Sequence, residues 1–162
     1  MTERREYLTF AISGQDYGID ILSVREIRGW TRETPLPNAP ASVRGIINLR
    51  GQVIPIFDLR IRLNAEATEP TAIHVVIVVE AKAGYYGLLV DAVSDIVSLE
   101  DGELQPVPAT AMDTGSGFLT ALAAREERMV SLIDLDRLVE GKTVDAAALE
   151  APADLPLLEN AA

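Results

Sequence analysis

Short apolar runs broken by turn residues recur along the chain, a pattern that indicates β-strands rather than long helices. The clearest runs are Tyr7–Ile12, Val53–Phe57, Val75–Val79, Gly87–Val90 and Met129–Ile133. Pro55 cannot donate a hydrogen bond to a neighbouring strand, so we expect its strand to lie at a sheet edge or to be bulged there. Helical patterns are short and few, and the two clearest are Asp58–Leu63 and Asp134–Val139. In both, the aspartate is placed to cap the first turn.

Three segments of the first half recur in the second half, in the same order. The second copies begin 69, 71 and 76 residues after the first ones. The pairs are Tyr17–Ile27 with Tyr86–Ile96, Pro35–Pro37 with Pro106–Pro108, and Val53–Leu59 with Met129–Leu135. An offset that only grows is what loop insertions in a duplicated unit would produce. The sequence therefore predicts two copies of one small β unit.

The predicted fold is all-β, with two units of about five short strands each, the size of a small barrel. We expect the first unit at about residues 14–65 and the second at about 72–141, joined by the connector Glu66–Thr71. Whether the units exchange strands stays open. A single unit of this size would be marginally stable, so we expect the two to share one core. Residues 142–162 are acidic and rich in alanine, and we expect a tail there.

Composition narrows the class of function. The 162 residues carry a net charge of −11, 48% are hydrophobic and none is cysteine. A strongly acidic surface repels nucleic acid and anionic membranes, and a chain without cysteine has neither disulfides nor zinc–thiolate sites. The N-terminal residues have no apolar core of the kind that a secretory signal needs, and the run around Ile73–Val79 is too short to span a bilayer. We expect a cytoplasmic protein.

Candidate catalytic groups have simpler explanations. His74, the only histidine, lies in an apolar strand pattern without a nucleophile pattern beside it. Asp58 and Asp134 occupy equivalent repeat positions before short helices, so capping explains both. Asp91 is a third carboxylate with no partner that its sequence neighbours suggest. The segment Asp113–Gly117 lacks the lysine and the spacing of a phosphate-binding loop. We expect no catalytic residue, no cofactor and no metal.

Charged residues among β-branched ones suggest a contact surface instead. Arg25–Arg28 continues a strand, with Glu26 two residues after Val24. Arg50 precedes Gly51 in a turn, where its side chain should project. Arginine is enriched in protein interfaces because its guanidinium pairs with carboxylates while its stem covers apolar area. On position alone, ordinary solvated charge is the simpler explanation of these residues.

Four longer strings resemble the CheW family of bacterial chemotaxis coupling proteins. Three are Tyr17–Gly29, Val43–Arg60 and Gly87–Ile96, and the fourth is Phe118–Leu122 followed by Arg128–Leu135. The resemblance spans residues 6–141 in order. The turn Asn48–Gly51 with the proline-containing strand after it is the most specific piece. One departure is Ala121, where the family usually has glycine.

The resemblance implies two five-stranded Src-homology-3-like barrels around a common core and a non-enzymatic adaptor. Such adaptors link the cytoplasmic tips of chemoreceptors to the histidine kinase CheA in extended membrane-associated arrays. It also implies that four residues contact partners and that two glycines shape turns. The contact residues are Val24, Glu26, Arg50 and Val75, and the turn glycines are Gly45 and Gly51. How the contacts divide between receptor and kinase stays open.

Three alternatives remain at this stage. The same fold could serve a chemosensory pathway that controls pili or development. A nucleic-acid-binding β barrel is disfavoured by the net charge and by the lack of clustered lysines with exposed aromatic residues. An enzyme would require a role for His74, which nothing around it in the sequence supports.

Overall fold

The computed structural model describes residues 4–63, 66–82, 84–107, 118–125 and 127–139. The expectations for Asp113–Gly117 and for the tail at 142–162 lie outside these residues. Within them the chain is mostly β-strand with a few short helices, which confirms the all-β prediction. The strands are β1 Arg4–Ile12, β2 Gln15–Asp20, β3 Val24–Gly29, β4 Val43–Leu49, β5 Gln52–Asp58, β6 Val75–Ala81, β7 Gly84–Val90, β8 Ala92–Glu100, β9 Leu104–Gln105, β10 Leu119–Arg125 and β11 Arg128–Ile133. The α-helices are α1 Leu59–Arg62 and α2 Leu135–Val139, and single 3-10 turns lie at Ile21–Ser23 and Asp101–Glu103.

The strands form two sheets, and each sheet takes strands from both halves of the chain. Sheet A has the order β8-β1-β2-β11-β10-β9, and sheet B has the order β3-β6-β7-β5-β4. Neighbouring strands run antiparallel except at two junctions, β2–β11 in sheet A and β5–β7 in sheet B. Strands that lie far apart in the sequence are therefore neighbours in both sheets. The connector at residues 66–71 does not divide the chain into the two sheets, because each sheet has strands from before and after it.

The predicted repeat is visible in this arrangement. The two strand orders correspond strand by strand: β8 matches β3, β1 matches β6, β2 matches β7, β11 matches β5 and β10 matches β4. Even the short strand β9 has a counterpart, because Thr34 forms an isolated bridge to Ile46 of β4. The parallel junction falls at the same place in both sheets. The two sheets are thus two copies of one pattern.

A glycine at each parallel junction lets the two strands' side chains approach closely. In sheet B, Gly87 lies opposite Ile56, and a Cβ atom on Gly87 would stand 2.4 Å from Ile56 Cδ1. In sheet A, Gly18 lies opposite Leu132, and a Cβ atom on Gly18 would stand 2.9 Å from Leu132 Cδ2. Both glycines belong to the Tyr-Gly pairs that carry the sequence repeat. The repeat therefore preserves a packing requirement.

The hydrophobic core has three parts. The central part lies between the sheets and takes large side chains from both of them, including Phe10, Ile19, Phe57, Ile77, Leu88 and Phe118. A second part belongs to sheet A alone and a third to sheet B alone. Because central strands are covered on both faces, β5, β6 and β7 are buried along most of their length instead of alternating.

Most local predictions about strands and helices are confirmed. The strand runs and both short helices form where the sequence places them, and the carboxylates of Asp58 and Asp134 accept backbone N–H groups of α1 and α2.

Of the two situations expected for Pro55, the edge is wrong, since β5 lies between β7 and β4. The β4–β5 pair does contain a register shift, but it lies in β4 between Val43 and Gly45, opposite the two residues after Pro55. Pro55 is tolerated because the parallel ladder with β7 begins one residue later, at Ile56. Its missing N–H therefore leaves no gap in that ladder.

Candidate functional site

Strand β3 is an edge of sheet B and pairs with β6 on one side only. Along β3 the residues alternate between half-buried and exposed positions. Val24 packs against the central core, whereas Ile27 is 46% exposed. The pairing shifts between Val24 and Glu26, so Arg25 forms a bulge. An edge of this kind offers unpaired backbone groups and an apolar side chain to another protein.

Arg50 and Glu26 form an ion pair beside this edge. Arg50 lies in the tight turn between β4 and β5 with φ 51°, and the Asn48 side chain accepts the N–H of Gly51 at 2.8 Å. The Arg50 guanidinium, 72% exposed, donates to Glu26 Oε1 at 2.6 Å. That hydrogen bond, together with the charges of Arg50 and Arg28, lowers the pKa of Glu26 below its ordinary value although partial burial opposes the shift. The predicted contact residues Glu26 and Arg50 are thus one unit, which the sequence alone did not reveal.

The two predicted turn glycines differ in their surroundings. Gly51 has φ 86° and open space around it. Gly45 has φ 153° and lies in a bulge of β4, where a Cβ atom would stand 2.3 Å from the carbonyl oxygen of Thr34. Ala121 holds the equivalent bulge of β10 without a positive φ, so the second repeat accommodates a side chain where the first does not. Only Gly45 is required by close packing.

Val75, the fourth predicted contact residue, lies at the other end of the β3–β6 pair. It is the first residue of β6 and lies opposite Gly29, whereas Val24 lies opposite Val79. Four residues of strand, about 13 Å at the usual rise, separate these two positions along β6. Both valines are half-buried and pack against the central core. The structure therefore brings Val24, Glu26 and Arg50 to one region and places Val75 at the far end of the same strand pair.

His74 and Asp91 meet in a polar junction rather than in a catalytic arrangement. His74 precedes β6, so its predicted place inside the strand is wrong, and its Nδ1 accepts the Thr71 N–H at 3.0 Å. Asp91 accepts hydrogen bonds from the Arg60 guanidinium at 2.9 Å and from the Ser13 N–H at 2.8 Å. Burial is the largest single influence and acts to raise the pKa of Asp91, but these two hydrogen bonds and the positive charge of Arg60 together lower it. His74 Nε2 lies 3.7 Å from Asp91 Oδ1, and the bonds to Ser13 and Arg60 join sheet A to sheet B.

A groove of about 600 Å³ opens between the sheets. Both acidic and basic side chains line the groove, and they are Arg5, Asp20, Glu80, Lys82, Asp134 and Asp136. Ser23, next to Val24, also lines it. In the part of the chain that the structure describes, no group of three or more acidic or histidine side chains is arranged to hold a metal ion. No helix in those same ranges is long and apolar enough to cross a membrane.

Comparison with known proteins decides the family. The family model described as CheW-like domain matches residues 6–142. The chain belongs to the CheW family. It is 47% identical over 143 residues to the chemotaxis protein CheW of Rhizobium meliloti (strain 1021), covering 88% of this chain and 92% of that protein. Identity to the chemotaxis protein CheW of Klebsiella aerogenes is 38% over 141 residues, covering 87% and 85% respectively.

A solved CheW structure has the same fold. The scaffolding protein TtCheW from Thermoanaerobacter tengcongensis matches with a TM-score of 0.77 at 30% identity, covering 85% of this chain and 94% of that one. The resemblance seen in the sequence is thereby confirmed. CheW proteins are chemotaxis scaffolds rather than enzymes, and a coupling role is consistent with the exposed strand edge described above.

Proposed function

We propose that this protein is a non-enzymatic adaptor that couples the cytoplasmic tips of chemoreceptors to a CheA-type histidine kinase in membrane-associated arrays. Family membership supports the class of function. The observation that carries the proposal for this chain is the exposed edge strand β3, beside which Arg50 holds Glu26. It is a preformed protein-docking edge, and the catalytic candidates are occupied in caps and in a structural junction.

In this proposal the β3 edge contacts the regulatory domain of the kinase, which the resemblance implies has the same fold. The outward side chain of Ile27 contributes apolar area, and the Glu26–Arg50 pair fixes orientation with charge-assisted hydrogen bonds. The groove between the sheets receives the helical receptor tip, with Val24, next to the groove residue Ser23, as an apolar contact near its rim. Val75 is a second apolar contact, at the far end of the β3–β6 pair. Contacts of this size are individually modest, and repetition in an array adds avidity.

The test is a charge reversal with a compensating partner. Arg50→Glu places two carboxylates together at the β3 edge, and we expect it to lower co-sedimentation with receptor-containing membranes and kinase. Because Arg50 is exposed, the melting temperature should change little. The double variant Arg50→Glu with Glu26→Arg re-creates the ion pair with its two charges exchanged. It therefore shows whether partner binding requires the ion pair itself or the positive charge at position 50.

Arg128→Glu is the matched control. Arg128 of β11 is 61% exposed and pairs with Asp16 of β2, in the middle of sheet A and not in the sheet that contains β3. It should therefore lose a comparable surface ion pair without touching the β3 edge. Full co-sedimentation of the Arg50→Glu variant, or an equal loss in the Arg128→Glu variant, would contradict the assignment of the β3 edge.

A further inference from the structure

Asp58 and Asp134 occupy the same repeat position but have different surroundings. Each caps a short helix, and the N–H group of each donates to a carbonyl at the equivalent position, Ser42 for Asp58 and Phe118 for Asp134. Yet Asp58 is fully buried, whereas the Asp134 side chain is 34% exposed. The repeat thus supplies an internal control, because capping explains what the two aspartates share and leaves the burial of Asp58 unexplained.

The additional partners of Asp58 come from the connector and from β4. The Thr68 hydroxyl donates to Asp58 Oδ1 at 2.8 Å, and the Thr68 N–H donates to Asp58 Oδ2 at 2.8 Å. The Arg44 guanidinium lies 3.4 Å from Asp58 Oδ2 and donates to the Thr68 carbonyl oxygen at 3.1 Å. Thr68 itself is only 5% exposed. The Asp58 carboxylate and the Arg44 guanidinium therefore bind three polar groups of Thr68 in the connector: its hydroxyl, its N–H and its carbonyl oxygen.

The same guanidinium reaches the segment that leaves β3. Arg44 Nε donates to Glu33 Oε2 at 2.8 Å, and the Trp30 indole N–H donates to the same oxygen at 2.8 Å. The backbone N–H of Trp30 donates to the carbonyl oxygen of His74 at 3.0 Å. Because Trp30 follows β3 and His74 precedes β6, this bond closes the β3–β6 pair at the end where Val75 lies. The cluster thus anchors both chain segments that enter and leave that end.

We propose that Asp58, Thr68 and Arg44 form a positioning cluster that fixes the Val75 end of the β3–β6 pair relative to the docking edge. The inference rests on the proposed function, since it assigns these buried residues to the partner-binding surface although none of them touches a partner. A helix cap needs none of the three extra bonds, and a purely stabilising cluster could change local amide exchange without changing the affinity for partners. Buried charged clusters can contribute more to uniqueness of geometry than to stability.

Thr68→Val is the sharpest perturbation, because it removes the hydroxyl and keeps the shape and the Asp58 cap. Thr68→Ser restores the hydroxyl and is the conservative rescue. Thr9→Val is the matched control, since it removes another buried threonine hydroxyl, which donates to the Asp95 carbonyl oxygen at 3.0 Å in sheet A and does not line the groove. The first readout is amide hydrogen exchange of the isolated protein at Trp30 and His74, with the Leu138 amide in α2 as the internal reference. The second readout is the Kd for kinase and receptor tip.

We expect Thr68→Val to raise exchange at the Trp30 and His74 amides about 10-fold, the value of one hydrogen bond to a charged group, with the Leu138 amide unchanged. Thr68→Ser should behave as wild type, and Thr9→Val should leave the Trp30, His74 and Leu138 amides unchanged. Partner affinity should fall about 10-fold in Thr68→Val alone. An unchanged exchange pattern, or a uniform rise at all amides, would overturn the cluster.

The two readouts separate failure of this inference from failure of the proposed function. If the wild-type protein binds neither kinase nor receptor tip, the proposed function fails, and the exchange pattern still decides whether the cluster fixes the β3–β6 end. If wild type binds, and Thr68→Val shows the local exchange pattern with unchanged affinity, the positioning role is wrong while the adaptor function stands.

Discussion

One added methyl group at Gly87 tests the close packing across the parallel junction of β5 and β7 in sheet B. A Cβ atom there would stand 2.4 Å from Ile56 Cδ1 and 3.0 Å from Val76 Cγ1, where ordinary carbon contacts are about 3.5–4.0 Å. Ile56 is fully buried and Val76 is 3% exposed, so neither side chain can turn away into solvent. Gly87 has no positive φ, so the backbone itself accepts alanine. The cost of Gly87→Ala is therefore purely steric.

We expect Gly87→Ala to lower the free energy of unfolding by about 2–3 kcal/mol, the upper part of the range for an extra methylene in a packed core. Ile56→Val removes the clashing Cδ1 atom, and the next Ile56 atom, Cγ1, lies 3.8 Å away at an ordinary contact distance. Alone, Ile56→Val should cost about 0.5–1.5 kcal/mol. In the double variant the added methyl group occupies the space that Cδ1 leaves. The two changes should therefore be coupled favourably by about 1–2 kcal/mol.

Equilibrium urea unfolding of the four proteins in this cycle measures the coupling. For an m value of about 2 kcal/mol/M, the Gly87→Ala midpoint should fall by about 1 M or slightly more, with m unchanged. The double variant should be no less stable than the Gly87→Ala variant. Strict additivity of the two single changes would refute the close approach of Gly87 and Ile56 across the parallel junction.

The remaining predictions concern pH and turn geometry. Because the pKa of Asp91 is lowered in the folded state, its contribution is full above the unfolded value of about 3.9 and is lost as the pH falls through the folded value. Thermal unfolding from pH 2.5 to 7 should thus show Asp91→Asn less stable than wild type at neutral pH, with the difference closing below about pH 4; a constant difference would contradict the Arg60 pairing. Gly45→Ala should lower the urea midpoint far more than Gly51→Ala, because only Gly45 adds a 2.3 Å approach to Thr34 to its positive φ. Equal urea midpoints for the two alanine variants would show that the strain of a positive φ alone, and not the contact with Thr34, sets the loss of stability.

Local features of the fold were predictable because they depend on neighbours in the sequence. Alternating and continuous apolar runs gave the strands, and Asp58 and Asp134 gave the caps. The duplication was also readable, since the Tyr-Gly pairs at Gly18 and Gly87 recur for a packing reason. The family resemblance and the matched family model agree over nearly the same residues.

The pairing of distant segments was not predictable, because no local signal encodes it. The parallel ladder of β5 with β7 places Pro55 inside a sheet where the sequence indicated an edge. The ion pair of Arg50 with Glu26 joins residues that are 24 positions apart. The burial of Asp58 depends on Thr68, which lies in a connector with no strand or helix pattern. The contact assignments of Val24, Glu26, Arg50 and Val75 stay predictions until a binding experiment tests them.

The mixing of strands between the sheets has a consequence for synthesis on the ribosome. Every strand of sheet B lies between Val24 and Val90, whereas sheet A needs both Arg4 near the start and Ile133 near the end of the described chain. During translation sheet B can be assembled while β1 and β2, the first strands to emerge, still wait for most of their partners. The nascent chain can thus complete sheet B before sheet A. The β1–β2 hairpin keeps an unpaired edge until β11 leaves the exit tunnel and pairs with β2.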